Sequence, residues 1–344
     1  MVKIAFRLNA NAVCGTKHLN RCLAIASAFA ETNPESSIFF LTSSSDEYQE
    51  IVHSSRFSFV SLGPAVSSYE DSEVTTTAIE EREIDILIVD LPNLSESYLK
   101  SIKPKVKLLS VIDEKCSLSN YPVDILINPS IYAHTLDYNI PSSAQLLLGT
   151  EFFPLPKIFD DFIDQKYEVS DSVKKILVYL QSQDNRSALL NIISGLRQIK
   201  DIFTANIILE KNFSKGAELA ALIGLDDRFV IITDSIDVKK KIALTDLAII
   251  SPCEIFYEFA FFKVPCISVL VSDSDLIMSN HLSQYSFTAQ SNYSPNEIQR
   301  NVSTLISNKD IRRRMSMRLE ELVDGLGRFR VADELLKAYN EKVK

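Results

Sequence analysis

Ten short apolar runs govern what this chain can fold into. They are Val2–Leu8, Ser37–Thr42, Asp85–Asp90, Val106–Asp113, Asp124–Asn128, Lys174–Leu180, Ala205–Leu209, Phe229–Ile232, Asp246–Ser251 and Cys266–Val271. They are rich in Ile, Val and Leu and are apolar on both parities. A strand with one wet face alternates polar and apolar residues. A strand apolar at successive positions is covered on both faces, as in a parallel sheet between two layers of helices. Helical stretches lie between the runs, among them His18–Glu31, Arg186–Ile199, Val238–Leu244 and Cys253–Phe262. This alternation predicts parallel βαβ units.

The units form two series, one before about residue 150 and one after about residue 172. The polar, proline-containing stretch Phe152–Asp171 separates them and reads as a linker. The expected division is a first α/β lobe over 1–151, a linker over 152–171, and a second lobe over 172–344 that ends in helices from Asn296 onward. A chain of 344 residues is long enough for two such lobes. No internal repeat or low-complexity tract is visible.

Composition narrows the function classes. Apolar residues make up 46% and charged residues 24%, as in ordinary globular proteins. No apolar stretch is long enough to cross a membrane, and the opening residues lack the pattern of a signal peptide, so a cytoplasmic protein is expected. The net charge of −9 argues against sequence-independent nucleic-acid binding, which needs a basic footprint. The one basic cluster, Arg312, Arg313, Arg314 and Arg318, reads as a solvated helix face. Cys14, Cys22, Cys116, Cys253 and Cys266 contain no CxxC pair and read mostly as small apolar residues. His53, His134 and His281 lack metal-ligand spacing, and no metal or cofactor is expected. Average usage would give roughly 24 glycines, yet the chain has 8. None lies between Gly149 and Gly195 or between Gly224 and Gly325. A phosphate loop built from several glycines is therefore excluded from both spans.

Ligands of open α/β sheets sit beyond the carboxyl ends of the strands. The loops of interest are Asn9–Lys17, Leu91–Leu94, Asp113–Ser119, Gln181–Arg186 and Ser251–Tyr257. In the first, Gly15-Thr16 leads into a helix whose first turn carries His18. A histidine there can serve as a general base near neutral pH. It can equally be a plain polar residue of a first helical turn, and position alone does not choose.

The pattern IAFR-x(7)-GTKHLNRCLAIA resembles the opening of the UDP-sugar hydrolases of the pseudaminic-acid pathway and the related spore-coat polysaccharide proteins. Gly15, Thr16, His18, Arg21, Cys22 and Leu23 match that motif. DILIVD, VID, DILIN, LLLGTEFFPL, KKILVYL, TDLAIISPCEIFYEFAFFKVPCISV and VDGLGRFRV are similar to later family segments, in the same order over nearly the whole chain. The resemblance implies two Rossmann-like lobes of the GT-B type, with a cleft between them. It implies metal-free, inverting attack of water on a UDP-linked 2,4-diacetamido-2,4,6-trideoxy sugar. His18 would activate the water. Arg7, Gly15, Thr16, Arg21, Asp90 and Asn128 would belong to the sugar side. Glu258, with Ser251 and Tyr257, would hold the nucleotide.

The departures from the family gather at the nucleotide. Its double-glycine loop is Gln181-Ser182-Gln183-Asp184 here, its glycine turn is Ser251-Pro252-Cys253-Glu254, and its Asn-Gln pair is replaced by Asp273-Ser274-Asp275. Pro252 removes a backbone donor. An acidic side chain about 4 Å from a phosphate repels it by roughly 4 kcal/mol at an effective dielectric of 20, on the order of three powers of ten in affinity. In the first lobe, Asn9, Lys17 and Leu91-Pro92 also depart. Three readings follow: a hydrolase of a nucleotide-linked sugar, a non-catalytic relative that binds another ligand or a protein partner, and a glycosyltransferase.

Overall fold

The structure, a computed structural model, describes residues 1–9, 17–43, 46–63, 67–165, 167–180, 186–209, 219, 221, 223–224, 226–233, 235–272 and 276–344, with backbone alone at 46–48 and 235–237. Each of the ten apolar runs holds a strand. In the first unit these are β1 (Lys3–Leu8), β2 (Ser37–Thr42), β4 (Ile86–Asp90), β5 (Leu108–Ile112) and β6 (Ile125–Asn128). In the second they are β8 (Lys175–Tyr179), β9 (Thr204–Ile208), β10 (Phe229–Ile232), β11 (Leu247–Ile250) and β12 (Cys266–Val269). Three further strands complete the sheets: β3 (Ser58–Ser61), β7 (Gln145–Leu148) and β13 (Thr288–Ser291). The orders are β3-β2-β1-β4-β5-β6-β7 and β10-β9-β8-β11-β12-β13, with every pairing parallel. The expected class, two α/β units on parallel sheets, is the observed one.

The described helices are α1 (Lys17–Thr32), α2 (Asp46–Ser54), α3 (Ser68–Arg82), α4 (Glu96–Ile102), α5 (Arg186–Arg197), α6 (Ser235–Ala243), α7 (Ile255–Phe261), α8 (Leu276–Gln284), α9 (Pro295–Ser307), α10 (Lys309–Leu319) and α11 (Gly327–Val343). They account for the double parity of the strands. In the first unit, Ile4, Phe6, Ile86 and Ile88 pack with Ile25 and Phe29 of α1 and Val331 and Leu335 of α11. On the other face, Ala5, Leu87 and Val89 pack with Ala78 and Ile79 of α3 and Leu99 and Ile102 of α4. In the second unit, Ile176, Val178 and Ile249 pack with Ile192 and Leu196 of α5 and Val302 of α9. No helix among the described residues is long and apolar enough to cross a membrane.

The compact units are Met1–Ile163 with Gly325–Lys344, and Asp164–Asp324. The last helix was expected with the second lobe, but it belongs to the first. Gly327 begins α11 against Phe152 and Phe153, where a Cβ would meet the Phe153 backbone nitrogen at 2.7 Å. The next residue, Arg328, is fully buried; its guanidinium donates to Ser27 Oγ at 2.7 Å and Asp160 Oδ2 at 2.5 Å, and lies 4.1 Å from the Phe329 ring centre. An arginine so enclosed ties the returning chain to α1 and to the segment around Asp160.

The basic cluster also divides. Arg313, Arg314 and Arg318 are exposed, as expected of a solvated face. Arg312 is buried and donates to Ile306 O at 3.0 Å and Ser170 O at 2.7 Å, closing carbonyls that would otherwise lack partners.

Candidate functional site

In the first sheet β1 continues to β2 on one side, whereas β4 continues to β5 on the other. Leu8 and Asp90 are register partners at the carboxyl ends of β1 and β4, so the topological switch point lies between them. In open α/β sheets, ligands bind beyond the carboxyl ends of the strands at such a point.

Asp90 is fully buried at this point. It accepts from both Nε and Nη2 of Arg21, and its Oδ1 lies 2.6 Å from His18 Nδ1. The helical spacing of His18 and Arg21 puts both on the inner face of the first turns of α1. Burial alone would raise the Asp90 carboxyl, but the Arg21 charge and the hydrogen bonds from Arg21 and His18 hold it far below the usual range. His18 Nδ1 also lies 3.2 Å from Arg21 Nη2; a proton on Nδ1 directed at the Asp90 carboxylate, which can only accept, would leave the lone pair on Nε2. The Cys22 thiol lies 3.6 Å from Asp90 Oδ2; burial and then the Asp90 charge push its pKa well up, which makes it a poor nucleophile.

A second carboxylate extends the cluster. Glu114 follows β5 and accepts from Arg21 Nη1 at 3.1 Å and Lys17 Nζ at 2.5 Å. The cluster thus holds two carboxylates, two permanent cations and one imidazole. Sequence reasoning singled out the loop after β5 but not this residue.

The loop that carries Glu114 is held from below. Asp113 accepts from Lys115 N, Ser117 N, Ser117 Oγ and Tyr121 Oη. Asn128 accepts from Ser130 N and Oγ through Oδ1, and its Nδ2 donates to Tyr138 Oη at 2.7 Å. Tyr138 Oη donates in turn to Asp113 O at 2.9 Å. Asn128, placed on the sugar side by the resemblance, is fully buried in this scaffold. Arg7 is likewise enclosed: it donates to Leu8 O, Asn9 Oδ1 and Thr75 Oγ1 and pairs with Asp71 of α3. His18, Arg21 and Asp90 are therefore brought together, whereas Arg7 and Asn128 serve the frame. Gly15 and Thr16 lie outside the described residues.

The second sheet has its switch point between β8 and β11. Ser251 follows β11, is fully buried, and donates its N–H to Tyr179 O at 3.2 Å. Tyr257 is core, with its ring centre 5.6 Å from that of Phe256. Glu258, in the first turn of α7, is nine-tenths buried. Its Oε1 accepts from Lys239 of α6, and its Oε2 meets no hydrogen-bond donor among the described residues. Lys239 gave no sequence signal, because it stands in a run of three lysines. The substituted segments 181–184 and 273–275 lie outside the described residues. Among the described residues no group of His, Cys, Asp and Glu is arranged to hold a metal ion.

No protein-family model matches the chain. An uncharacterized protein of Methanocaldococcus jannaschii is 23% identical over 281 residues, covering 77% of this chain. The match spans 55% of that relative's length. Among solved structures, the MurG of Acinetobacter baumannii superposes with a TM-score of 0.70 at 12% identity, covering 97% of this chain and 99% of that one. The UDP-GlcNAc 2-epimerase of Neisseria meningitidis, bound to UDP-GlcNAc, gives 0.68 at 10% identity, covering 98% and 100%. A glycosyltransferase of Rickettsia africae gives 0.64 at 12% identity, covering 100% and 99%. The chain shares the two-unit GT-B-like fold of these proteins.

Proposed function

We propose that the protein is a cytoplasmic enzyme that acts on a UDP-linked sugar, and that it hydrolyses a diacetamido-trideoxy sugar nucleotide with inversion. The observation that carries this reading is the His18–Asp90–Arg21 cluster at the switch point of the first sheet. The ordered sequence resemblance and the fold shared with a UDP-GlcNAc-bound epimerase support it. His18 Nε2 accepts a proton from water as the water oxygen bonds to the anomeric carbon. The bond from that carbon to the UDP oxygen breaks, and its electron pair leaves with UDP. Asp90 holds the imidazole in the tautomer that can act and stabilises the imidazolium that forms. Arg21 keeps Asp90 ionised. Glu258 accepts from a ribose hydroxyl through Oε2, while the buried Ser251 and Tyr257 hold the turn and helix that carry it.

Transfer to an acceptor hydroxyl is the second reading. The same base would deprotonate that hydroxyl, and the fold shared with a glycosyltransferase supports it.

The test is release of UDP from a UDP-linked diacetamido-trideoxy sugar, with the product anomer read by proton NMR. Wild-type protein should release UDP with inversion, and His18→Ala should slow release by about 10²–10⁴-fold. Release only when a sugar acceptor is added would select the transferase. Equal release by wild type and His18→Ala would remove His18 as the base.

A further inference from the structure

We propose that Lys239 is a phosphate-binding cation of the nucleotide site, replacing backbone donors that this chain has lost. The inference rests on the reading above that Glu258 faces a ribose.

Phosphate sites at switch points ordinarily use main-chain N–H groups, and glycine lets those groups approach. After β11 the Ser251 N–H goes to Tyr179 O, and within the first turn of α7 the Phe256 N–H goes to Cys253 O at 2.9 Å and the Tyr257 N–H to Glu254 O at 3.0 Å. Pro252 has no N–H. Glu254 adds negative charge to the same turn. A diphosphate arriving there needs a positive side chain.

Lys239 supplies it from another element. α6 follows β10, and its lysine reaches across to Glu258 in the first turn of α7. The Lys239 side chain is 20% exposed and that of Glu258 10%, so the charge lies low in the surface and is poorly screened. Glu258 Oε2, buried and without a donor among the described residues, points to a ligand hydroxyl, because a buried carboxylate oxygen left without a partner costs free energy. One carboxylate thereby links the two halves of a nucleotide: the ribose hydroxyl on Oε2, and the cation beside Oε1 toward the phosphates. A pair that is structural alone would leave Oε2 unexplained.

The experiment is calorimetric titration of UDP and of uridine into wild-type protein, Lys239→Met and Glu258→Gln, with thermal unfolding of each. Lys239→Met should weaken UDP by about 10- to 100-fold, the range of a charge-assisted hydrogen bond, and leave uridine unchanged. Glu258→Gln should weaken both ligands. Lys239→Arg should restore most of the UDP affinity. Should Lys239→Met fail to fold, the neutral pair Lys239→Met with Glu258→Gln carries the comparison, and its preference for UDP over uridine should vanish. If wild type binds UDP and Lys239→Met binds it equally well, the inference falls while the nucleotide reading stands. If wild type binds neither ligand, both fall.

Discussion

Asp90 is the residue on which the first site turns. It holds Arg21 through two hydrogen bonds and His18 through one, and it has no exposed surface to share with water. Removing one partner of a buried ion pair leaves an uncompensated charge, at a cost of about 3–5 kcal/mol. Asp90→Asn keeps the shape and loses the charge, so it should lower stability toward the small end of that range. The pH dependence follows from the sign of the shift. The folded Asp90 pKa lies below its unfolded value near 4. Its stabilisation is therefore fully present above about pH 4 and is lost as the pH falls from there through the folded pKa. The stability difference between wild type and Asp90→Asn should stay level from about pH 5 to 8 and shrink in acid. Urea titrations across that range check this; a difference that grew on acidification would mean the carboxyl is not held ionised. His18, Arg21 and Asp90 were each marked in the sequence, but not that they meet, since 72 positions separate His18 from Asp90. Glu114 and Lys239 stood out on no pattern, since each acquires its partners only through chain crossovers.

Among the elements, the strands were the most legible. Every doubly apolar run became a strand, because both of its faces are covered. The strands outside those runs are edges: β3 reads SFVS and is partly or fully exposed, β7 reads QLLL with its first two residues exposed, and β13 reads TAQS. An edge strand borrows order from one neighbour and needs little apolar character of its own. Helix α11 was expected with the second lobe for a different reason. Its apolar stripe specifies burial but not which sheet receives it. Its approach depends on Gly327, where a Cβ would meet the Phe153 backbone rather than a movable side chain. Gly327→Ala gains helix propensity worth about 1 kcal/mol, but displacing backbone costs about 1–3 kcal/mol. The variant should lower the melting temperature measurably. An unchanged or raised melting temperature would show that α11 seats without this close approach.

At the scale of the whole molecule, the same construction occurs twice. Each unit is a doubly wound parallel sheet whose strand order reverses once, at β1/β4 and at β8/β11. Five of the described candidate residues follow those two reversals: His18, Arg21 and Asp90 at the first, Ser251 and Glu258 at the second. The first carries His18 against the buried Asp90 carboxylate, and the second a buried carboxylate oxygen that meets no donor among the described residues. On the proposed reading they serve as the base for the nucleophile and the acceptor for the ribose. The measurement that tests this most directly is calorimetric titration of UDP into the purified protein at low salt. The account predicts saturable binding that weakens by about tenfold or more in Glu258→Ala, the loss expected for one hydrogen bond to a charged group. No heat of binding at millimolar UDP would contradict it.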